Sequence, residues 1–321
     1  MSEYINVERP FLDKLSELGW EVINHNEQSQ YCSELSGAEY PIAAEEKGVY
    51  GNTIASFHGI PQNPAISKRE HFKETILTQE FRDSLKRINL ADDGRSWLTD
   101  KQIDDVVREV ITQPGVGLLQ ANKTIHELLT KNTTTNFNEL TGEQSPLVRL
   151  IDFRHPERNS FIAINQFRID TPGASRTSII PDIVLFVNGL PFVVIECKDN
   201  NVAEPLSEAF IQISRYANTR DDDYGVKEGE EKLFHANLFS IITHGTEARF
   251  GTVTGEFDHY LNWKDIFPEV YRTVQVKPNE ERQEVMILGM LNKAILLDIL
   301  KNFTYFLSSK NPRSLKALLP C

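Results

Sequence analysis

Cysteine, long apolar runs and positive charge are all scarce in this 321-residue sequence. The three cysteines, Cys32, Cys197 and Cys321, are widely scattered, so neither a disulfide framework nor a cysteine-rich zinc site is predicted. No apolar run reaches the ~18 residues that a membrane-spanning helix needs. The N-terminal residues lack the basic and apolar segments of a signal peptide, so we expect a cytoplasmic protein with no membrane attachment.

The negative charge is unevenly distributed along the chain. The formal net charge of −12 by itself counts against a nucleic-acid partner, because phosphate backbones attract basic surfaces. The acidic excess is confined to residues 1–50 and 221–231, whereas residues 68–87 and 301–321 carry a basic excess. The charge therefore limits the expected affinity for DNA and does not exclude DNA as a partner.

The spacing of apolar residues predicts helices in several parts of the chain. Apolar side chains recur three and four residues apart in each of these segments, as on the buried face of a helix. The third helix begins at Thr99, a residue type that favours helix N-termini. The predicted helices cover residues 7–19, 68–91, 98–112, 203–218 and 279–309.

Short apolar runs of strand length occupy the middle of the chain, separated by glycine, proline and asparagine. These runs are 116–120, 147–153, 161–169, 180–187, 191–198 and 238–245. Because the helix over 203–218 lies between the last two runs, the pattern predicts a mixed β-sheet flanked by helices, which is an α/β fold.

Residues 181–200 hold the most informative pattern, two apolar runs joined by Asn188-Gly189. The Asn-Gly pair strongly favours a tight turn between two strands. If the loop has three residues, Asp182 lies opposite Glu196 across the hairpin. If the loop has two, the pair is one step apart but still close in space.

The second strand of this hairpin is apolar on both faces. Because side chains alternate along a strand, one face is predicted to carry every second residue. The two predicted faces are Phe192, Val194, Glu196 and Lys198 on one side, and Val193, Ile195 and Cys197 on the other. A strand of this kind is expected at the centre of a sheet that is covered on both sides.

Two carboxylates and a lysine at the end of a buried hairpin are chemically unusual. Neighbouring carboxylates repel each other, and burial makes their charged forms costlier still. A hard divalent cation such as Mg²⁺ relieves both problems. Beside a cation held by Asp182 and Glu196, Lys198 would orient or activate a water, or stabilise charge on a phosphate, as in phosphodiester hydrolysis. The simpler alternative is a set of strand-end residues with an ordinary salt bridge.

The segment PDIVLFVNGLPFVVIECK resembles the PD-(D/E)xK nucleases, and especially the nuclease region of the restriction (motor) subunit of type I restriction-modification enzymes. Other segments occur in the order typical of that family, so the resemblance covers nearly the whole chain. These segments are Glu8 followed by LGW, REHFKETIL, LIDF, FIAINQFRI and ILLDILKNF. The resemblance implies a restriction-endonuclease-like core with an α-rich N-terminal part and a C-terminal helical connector.

The resemblance also implies roles for particular residues. Asp182 and Glu196 would be ligands of Mg²⁺, for which Mn²⁺ can substitute, and the backbone carbonyl of Cys197 would be a further ligand. Lys198 would be the catalytic lysine. Glu8 matches an acidic residue on the first helix that can approach the metal in such folds, although an exposed residue at a helix start is an equal alternative.

Gln212 and Tyr216 match a Q-x-x-x-Y element that family members carry on the helix after the lysine. The two residues lie one turn apart on one helical face. They would position the DNA backbone or brace the site, and ordinary helix packing is the alternative.

Motor subunits of this family carry an ATP-driven DNA translocase after the nuclease, and this sequence has no phosphate-binding loop of that kind. In the nearest string, residues 117–124, Asn122 replaces the second glycine, which is needed for the loop to wrap phosphate. We therefore expect a nuclease domain at 1–265, with its catalytic core at about 140–255. A helical connector at 266–321 would lead to an absent motor, the only part expected to use ATP.

The expected function is Mg²⁺-dependent endonucleolytic cleavage of double-stranded DNA, as the nuclease part of a type I restriction complex. The partners implied by the resemblance are double-stranded DNA and the methyltransferase and specificity subunits. Two alternatives stay open: a free-standing repair or defence nuclease with the same core, and a non-catalytic docking module for a DNA translocase.

Overall fold

The computed structural model describes residues 3–27, 61–113, 117–220, 226–274, 276–277, 281–306 and 316–318. Parts of the sequence predictions lie outside these residues, namely most of the segment before residue 61, the start of the acidic run at 221–231 and the two ends of the predicted helix over 279–309. No helix in the described part of the chain is long and apolar enough to cross a membrane.

Helices surround a central sheet. A π-helical turn at Tyr4–Glu8 leads directly into the first α-helix. The α-helices are α1 (Arg9–Glu17), α2 (Thr78–Ile88), α3 (Asp100–Ile111), α4 (Leu118–Lys131), α5 (Pro205–Tyr216), α6 (Tyr271–Val274), α7 (Arg282–Met290) and α8 (Lys293–Asn302). The strands are β1 (Glu21–Ile23), β2 (Thr133–Thr134), β3 (Leu147–Val148), β4 (Phe161–Asn165), β5 (Ile169–Asp170), β6 (Ser178–Ile179), β7 (Ile183–Val187), β8 (Leu190–Cys197), β9 (Phe239–Thr243), β10 (Ala248–Gly251), β11 (Thr304–Phe306) and β12 (Lys316–Leu318).

The main sheet has six strands in the order β1-β4-β7-β8-β9-β10. Strand β1 runs parallel to β4 and β8 runs parallel to β9, whereas the other neighbouring pairs are antiparallel. The sheet is therefore mixed, and the predicted α/β fold with flanking helices is confirmed.

Strand β8 lies near the centre of the sheet and is buried over its whole length. One core cluster joins one face of the sheet to apolar side chains of α1, α2, α3, α4, α7 and α8. A second cluster joins the opposite face to α5, and Val194 of β8 belongs to it. This two-sided burial explains why the β8 sequence is a continuous apolar run.

The helix predicted over 68–91 is shorter than expected, because only Thr78–Ile88 is helical. Residues 69–74 form a hydrogen-bonded turn instead. The Arg69 side chain donates to the backbone carbonyl of Glu74. The carboxylate of Glu74 accepts from the backbone N–H groups of Glu70 and His71. These local bonds compete with the helix. The basic charges of this segment therefore lie partly on a loop.

Two further element predictions are wrong. Residues 116–120 were expected to form a strand, but residues 118–120 open helix α4, whose buried Ala121, Ile125 and Leu129 recur every four residues. Similarly, only Leu147–Val148 of the predicted strand over 147–153 is extended in a sheet.

The long helix predicted over 279–309 is divided in two. The helix is interrupted at Asn292, because the side chain of this residue accepts from the backbone N–H of Ala294 and thereby caps a new helix. Both α7 and α8 pack into the main core cluster.

Candidate active site

A hairpin made of β7 and β8 carries the candidate catalytic residues to one end of the sheet. Asn188 and Gly189 both have positive φ, 49° and 80°, as the tight two-residue turn between strands requires. Next to the turn, Phe186 pairs with Pro191. An irregularity then adds one residue to β8, so that Ile183 pairs with Ile195.

This irregularity reconciles the two registers that the sequence allowed. The loop has two residues, yet beyond the irregularity the pairing is the one expected for a three-residue loop. One further step along that register places Asp182 opposite Glu196. The extra residue also moves Phe192 into the core cluster of Val193, so its predicted position on the face of Val194 is wrong.

The structure brings Asp182, Glu196 and Lys198 together. The ammonium group of Lys198 donates to Glu196 Oε1 at 2.7 Å and to the backbone carbonyl of Cys197 at 2.9 Å. The backbone N–H of Cys197 donates to Asp182 Oδ2 at 2.8 Å. Glu196 is fully buried, and Asp182 is only 8% exposed.

Burial and neighbouring charges shift the pKa values of these groups. Burial raises the pKa of Glu196, and the adjacent charge of Asp182 raises it further. Burial also raises the pKa of Asp182. For Lys198 burial lowers the pKa, but the charges of Glu196 and Asp182 outweigh burial, so the net shift is upward. The lysine is therefore held as a cation against Glu196.

Glu8 joins this cluster from the other end of the chain. It is buried, in contrast to the alternative of an exposed helix-start residue. Its Oε1 accepts from Asn165 Nδ2 at 2.6 Å and its Oε2 accepts from Gln166 Nε2 at 3.1 Å. Burial and the charge of Asp182 raise the pKa of Glu8 to about 8.

Gln212 and Tyr216 lie on α5, beside strand β8. Gln212 Nε2 donates to the Tyr216 hydroxyl at 2.5 Å, and that hydroxyl donates to the carbonyl of Ile180 at 3.2 Å. Tyr216 is buried, and Ile180 lies two residues before Asp182. This geometry favours the interpretation of the pair as a brace for the hairpin.

The donor set suits a hard cation. Among the residues that the structure describes, no hydrogen-bond donor reaches the buried Glu196 Oε2. Its Oε1 and the carbonyl of Cys197 already contact the ammonium of Lys198, so both oxygens face positive charge. Within the described residues no three side chains of His, Cys, Asp or Glu are arranged to hold a metal. A cation here would therefore depend on the carboxylates of Asp182 and Glu196 together with a backbone oxygen.

Residues 54–259 match the model of the family described as the type I restriction enzyme R protein N terminus. The chain belongs to this family. The matched region contains the β7–β8 hairpin, helix α5 and the two amides that contact Glu8, whereas Glu8 itself and helix α7 lie outside it.

Several curated type I restriction enzyme endonuclease subunits are similar to this R protein N-terminal chain. The HindI subunit of Haemophilus influenzae is 27% identical over 249 residues, which is 77% of this chain and 22% of that protein. The putative MjaIXP subunit of Methanocaldococcus jannaschii is 23% identical over 258 residues, 77% of this chain and 23% of that protein. The EcoprrI subunit of Escherichia coli is 26% identical over 203 residues, 62% of this chain and 56% of that protein. The chain spans less than a quarter of the first two relatives.

Sequence reasoning missed three polar residues of the site in this R protein N-terminal chain. Asn165 ends strand β4, Gln166 follows it, and both hold Glu8. They belong to the family-like segment FIAINQFRI, but the resemblance of that segment assigned them no role. Glu3 accepts from the backbone N–H of Asp199 at 3.0 Å, and burial with the charge of Asp182 raises its pKa to about 7. The position of Glu3 beside Asp199 depends on the packing of the N-terminal helical segment against the sheet, which the sequence pattern does not indicate.

Proposed function

We propose that this chain is the nuclease part of a type I restriction endonuclease subunit and hydrolyses phosphodiester bonds of double-stranded DNA with Mg²⁺, or with Mn²⁺ in its place. One observation carries the proposal: Asp182, Glu196 and Lys198 converge at the end of a buried hairpin. The names of the similar curated proteins, which are endonuclease subunits, support the same activity.

Asp182, Glu196 and the carbonyl of Cys197 would hold the cation. When bound, it would supply charge neutralisation for the phosphate and a more acidic water. In the metal-free chain the charges of Glu196 and Asp182 raise the pKa of Lys198. Beside the cation, Lys198 would orient or activate a water, or stabilise negative charge on the phosphate. Gln212 and Tyr216 would keep the hairpin in place, and Glu8 would complete the acidic cluster.

The partners belong to the same proposal. In a type I restriction complex a specificity subunit reads the DNA sequence and a methyltransferase subunit modifies it, so this chain needs little sequence preference of its own. ATP would act only through a motor domain outside this chain. The nuclease domain would cover residues 1–265, with its catalytic core at about 140–255, and the connector residues 266–321.

Nicking of supercoiled plasmid DNA tests the site. Wild type, Asp182→Ala and Lys198→Ala are compared in buffer with Mg²⁺ or with Mn²⁺. Each protein is assayed by itself and after reconstitution with the methyltransferase and specificity subunits and the rest of the motor subunit. Asp13→Ala is the control, because Asp13 is a carboxylate on the same protein with a side chain that is 65% exposed. We expect both site variants to lose at least about 100-fold in rate and the control to cut like wild type.

Two outcomes contradict the proposal. If Lys198→Ala cuts as fast as wild type, or Asp182→Ala still cuts within the complex, the catalytic assignment is wrong. If the complete complex cuts DNA with or without these residues, this chain is a docking module and the nuclease lies elsewhere.

A further inference from the structure

Two neutral amides stand between the acidic residues of the candidate site. Asn165, the last residue of β4, is fully buried. Its Oδ1 accepts from the backbone N–H of His25 at 2.7 Å, and its Nδ2 donates to Glu8 Oε1 at 2.6 Å. Turning the amide over would place its oxygen against a carboxylate and its NH₂ against an N–H, so the amide is locked in one orientation.

Gln166 contacts two carboxylates that are far apart in the sequence, those of Glu8 and Asp182. Its Nε2 lies 3.1 Å from Glu8 Oε2 and 3.4 Å from Asp182 Oδ1. Its backbone N–H donates to the carbonyl of Asp182 at 2.8 Å. The residue has φ 49°, in the left-handed region that a glutamine rarely adopts. Such conformations persist only where the surrounding contacts hold them, and they cluster at functional sites.

The chemistry of these donors is informative. An arginine or lysine against Glu8 would cancel its charge, whereas an amide fixes the direction of the carboxylate and leaves the charge in place. In the described part of the chain no lysine or arginine forms an ion pair with Glu8. The amides therefore hold two acids near each other without adding a positive charge between them.

We propose that Asn165 and Gln166 are positioning residues that hold Glu8 beside Asp182, so that Asp182 is oriented for binding one divalent cation together with Glu196 and the carbonyl of Cys197. This inference rests on the proposed function, because the cation is the cofactor of that reaction. Residues that orient metal ligands typically contribute 10–100-fold to metal affinity. We expect a loss of about that size when the donors are removed.

Binding of Mn²⁺ to the full 321-residue chain, measured by isothermal titration calorimetry, tests the proposal without any cleavage step. Gln166→Met keeps the length of the side chain but removes its donors, and Asn165→Ala is measured beside it. The expected result is a Kd for Mn²⁺ raised about 10-fold or more. In the plasmid assay, the Mg²⁺ concentration for half-maximal rate should rise by a similar factor, while saturating Mg²⁺ restores the rate of Gln166→Met.

Asn138→Ala is the matched control. Asn138 is also a buried asparagine, and its amide donates to the carbonyl of Trp97 and to Gln102, neither of which belongs to the acidic cluster. This variant should melt at a lower temperature than wild type and bind Mn²⁺ with wild-type affinity. An equal loss of affinity in Asn138→Ala would show that general destabilisation is the cause and would overturn the positioning role.

The remaining outcomes separate the two proposals. Wild-type Mn²⁺ affinity in folded Gln166→Met overturns the positioning role and leaves the proposed function standing. Absence of Mn²⁺ binding by the wild-type chain, or unchanged binding by Asp182→Asn, overturns both. If Gln166→Met does not fold, Gln166→Asn replaces it, because its shorter amide cannot reach both carboxylates and the same rise in Kd is expected.

Discussion

Protonation of Glu8 is coupled to the stability of the folded chain. The pKa of Glu8 is raised to about 8 in the folded chain from an ordinary value of 4.5, first by burial and then by the charge of Asp182. Between those values the folded chain holds a proton that the unfolded chain has lost. The stability contributed by this group is complete below pH ~4.5 and is lost as the pH rises through about 8. Glu3, with a pKa of about 7, acts in the same direction.

Glu8→Gln should therefore stabilise the metal-free chain at alkaline pH. Glutamine carries no charge, so the penalty of ionising a buried acid disappears, while a side-chain oxygen still accepts a hydrogen bond from Asn165 or Gln166. Thermal melts in EDTA between about pH 5 and about pH 9 measure the effect as a gap between the two proteins that widens with pH. Melting curves that stay parallel across this range would show that Glu8 ionises freely in the folded chain.

At the residue scale, the identity of the site residues was predictable and their surroundings were not. The two acids and Lys198 stand within one hairpin, so local alternation and a turn signal were enough to bring them together. Glu8 contacts residues more than 150 positions away, and its amide partners were invisible to any local pattern. The catalytic roles of all these residues remain predictions.

At the scale of single elements, the turn of the β7–β8 hairpin is a tightly constrained position. Gly189 has φ 80°, and its carbonyl accepts from the backbone N–H of Leu77 at 2.8 Å. A Cβ added there would lie 2.5 Å from the carbonyl oxygen of Leu77 and 2.8 Å from the backbone nitrogen of Phe81. The hairpin tip thus packs against the start of α2 with no space for a side chain.

Gly189→Ala should destabilise the chain by about 2–4 kcal/mol, because backbone strain adds to a clash with atoms that cannot move aside. Gly94→Ala is the matched control. Gly94 has a similar φ of 81°, but no atom of the described residues lies within 4 Å of an added Cβ, so only the strain of about 1 kcal/mol remains. Urea unfolding of both variants measures the difference, and equal losses would contradict the close approach of the hairpin to α2.

Helix α7 was predicted from the sequence as a helix, but its contacts with the candidate site were not. Gln283 on this helix accepts from the hydroxyl of Thr243 at 2.7 Å and donates to the carbonyl of Val7 at 3.3 Å. The carbonyl of Thr243 accepts from the backbone N–H of Lys198 at 2.9 Å. A segment expected to be a connector is thus hydrogen-bonded to both sides of the candidate site. The apolar pattern of the segment could not show this, because these bonds depend on the docking of distant elements.

At the scale of the whole molecule, the charge distribution predicts weak DNA binding by the chain alone. The net charge of −12 opposes a phosphate backbone, and most basic side chains of α2 are already paired with acids, as Arg82 is with Asp104 and Lys86 with Asp100. Fluorescence anisotropy with a labelled duplex should give a Kd no tighter than about 10⁻⁶ M at physiological salt.

Lower salt should strengthen this binding, and the slope of affinity against salt should be shallow because few phosphates are neutralised. Addition of the specificity and methyltransferase subunits should tighten it. Nanomolar binding by the chain alone at physiological salt would contradict this view of its surface charge.

The sequence by itself determined the α/β class, the family and the hairpin with its two acids and lysine, because alternation and turn chemistry act between residues that are close along the chain. Only the tertiary structure decided the register at Asp182 and Glu196, since one extra residue in β8 converts a two-residue turn into the pairing of a longer loop. It alone also brought Glu8, at the end of the N-terminal π-helical turn, and Gln166, which follows β4, to Asp182. Those contacts depend on burial shared by distant segments, and no local pattern encodes that burial.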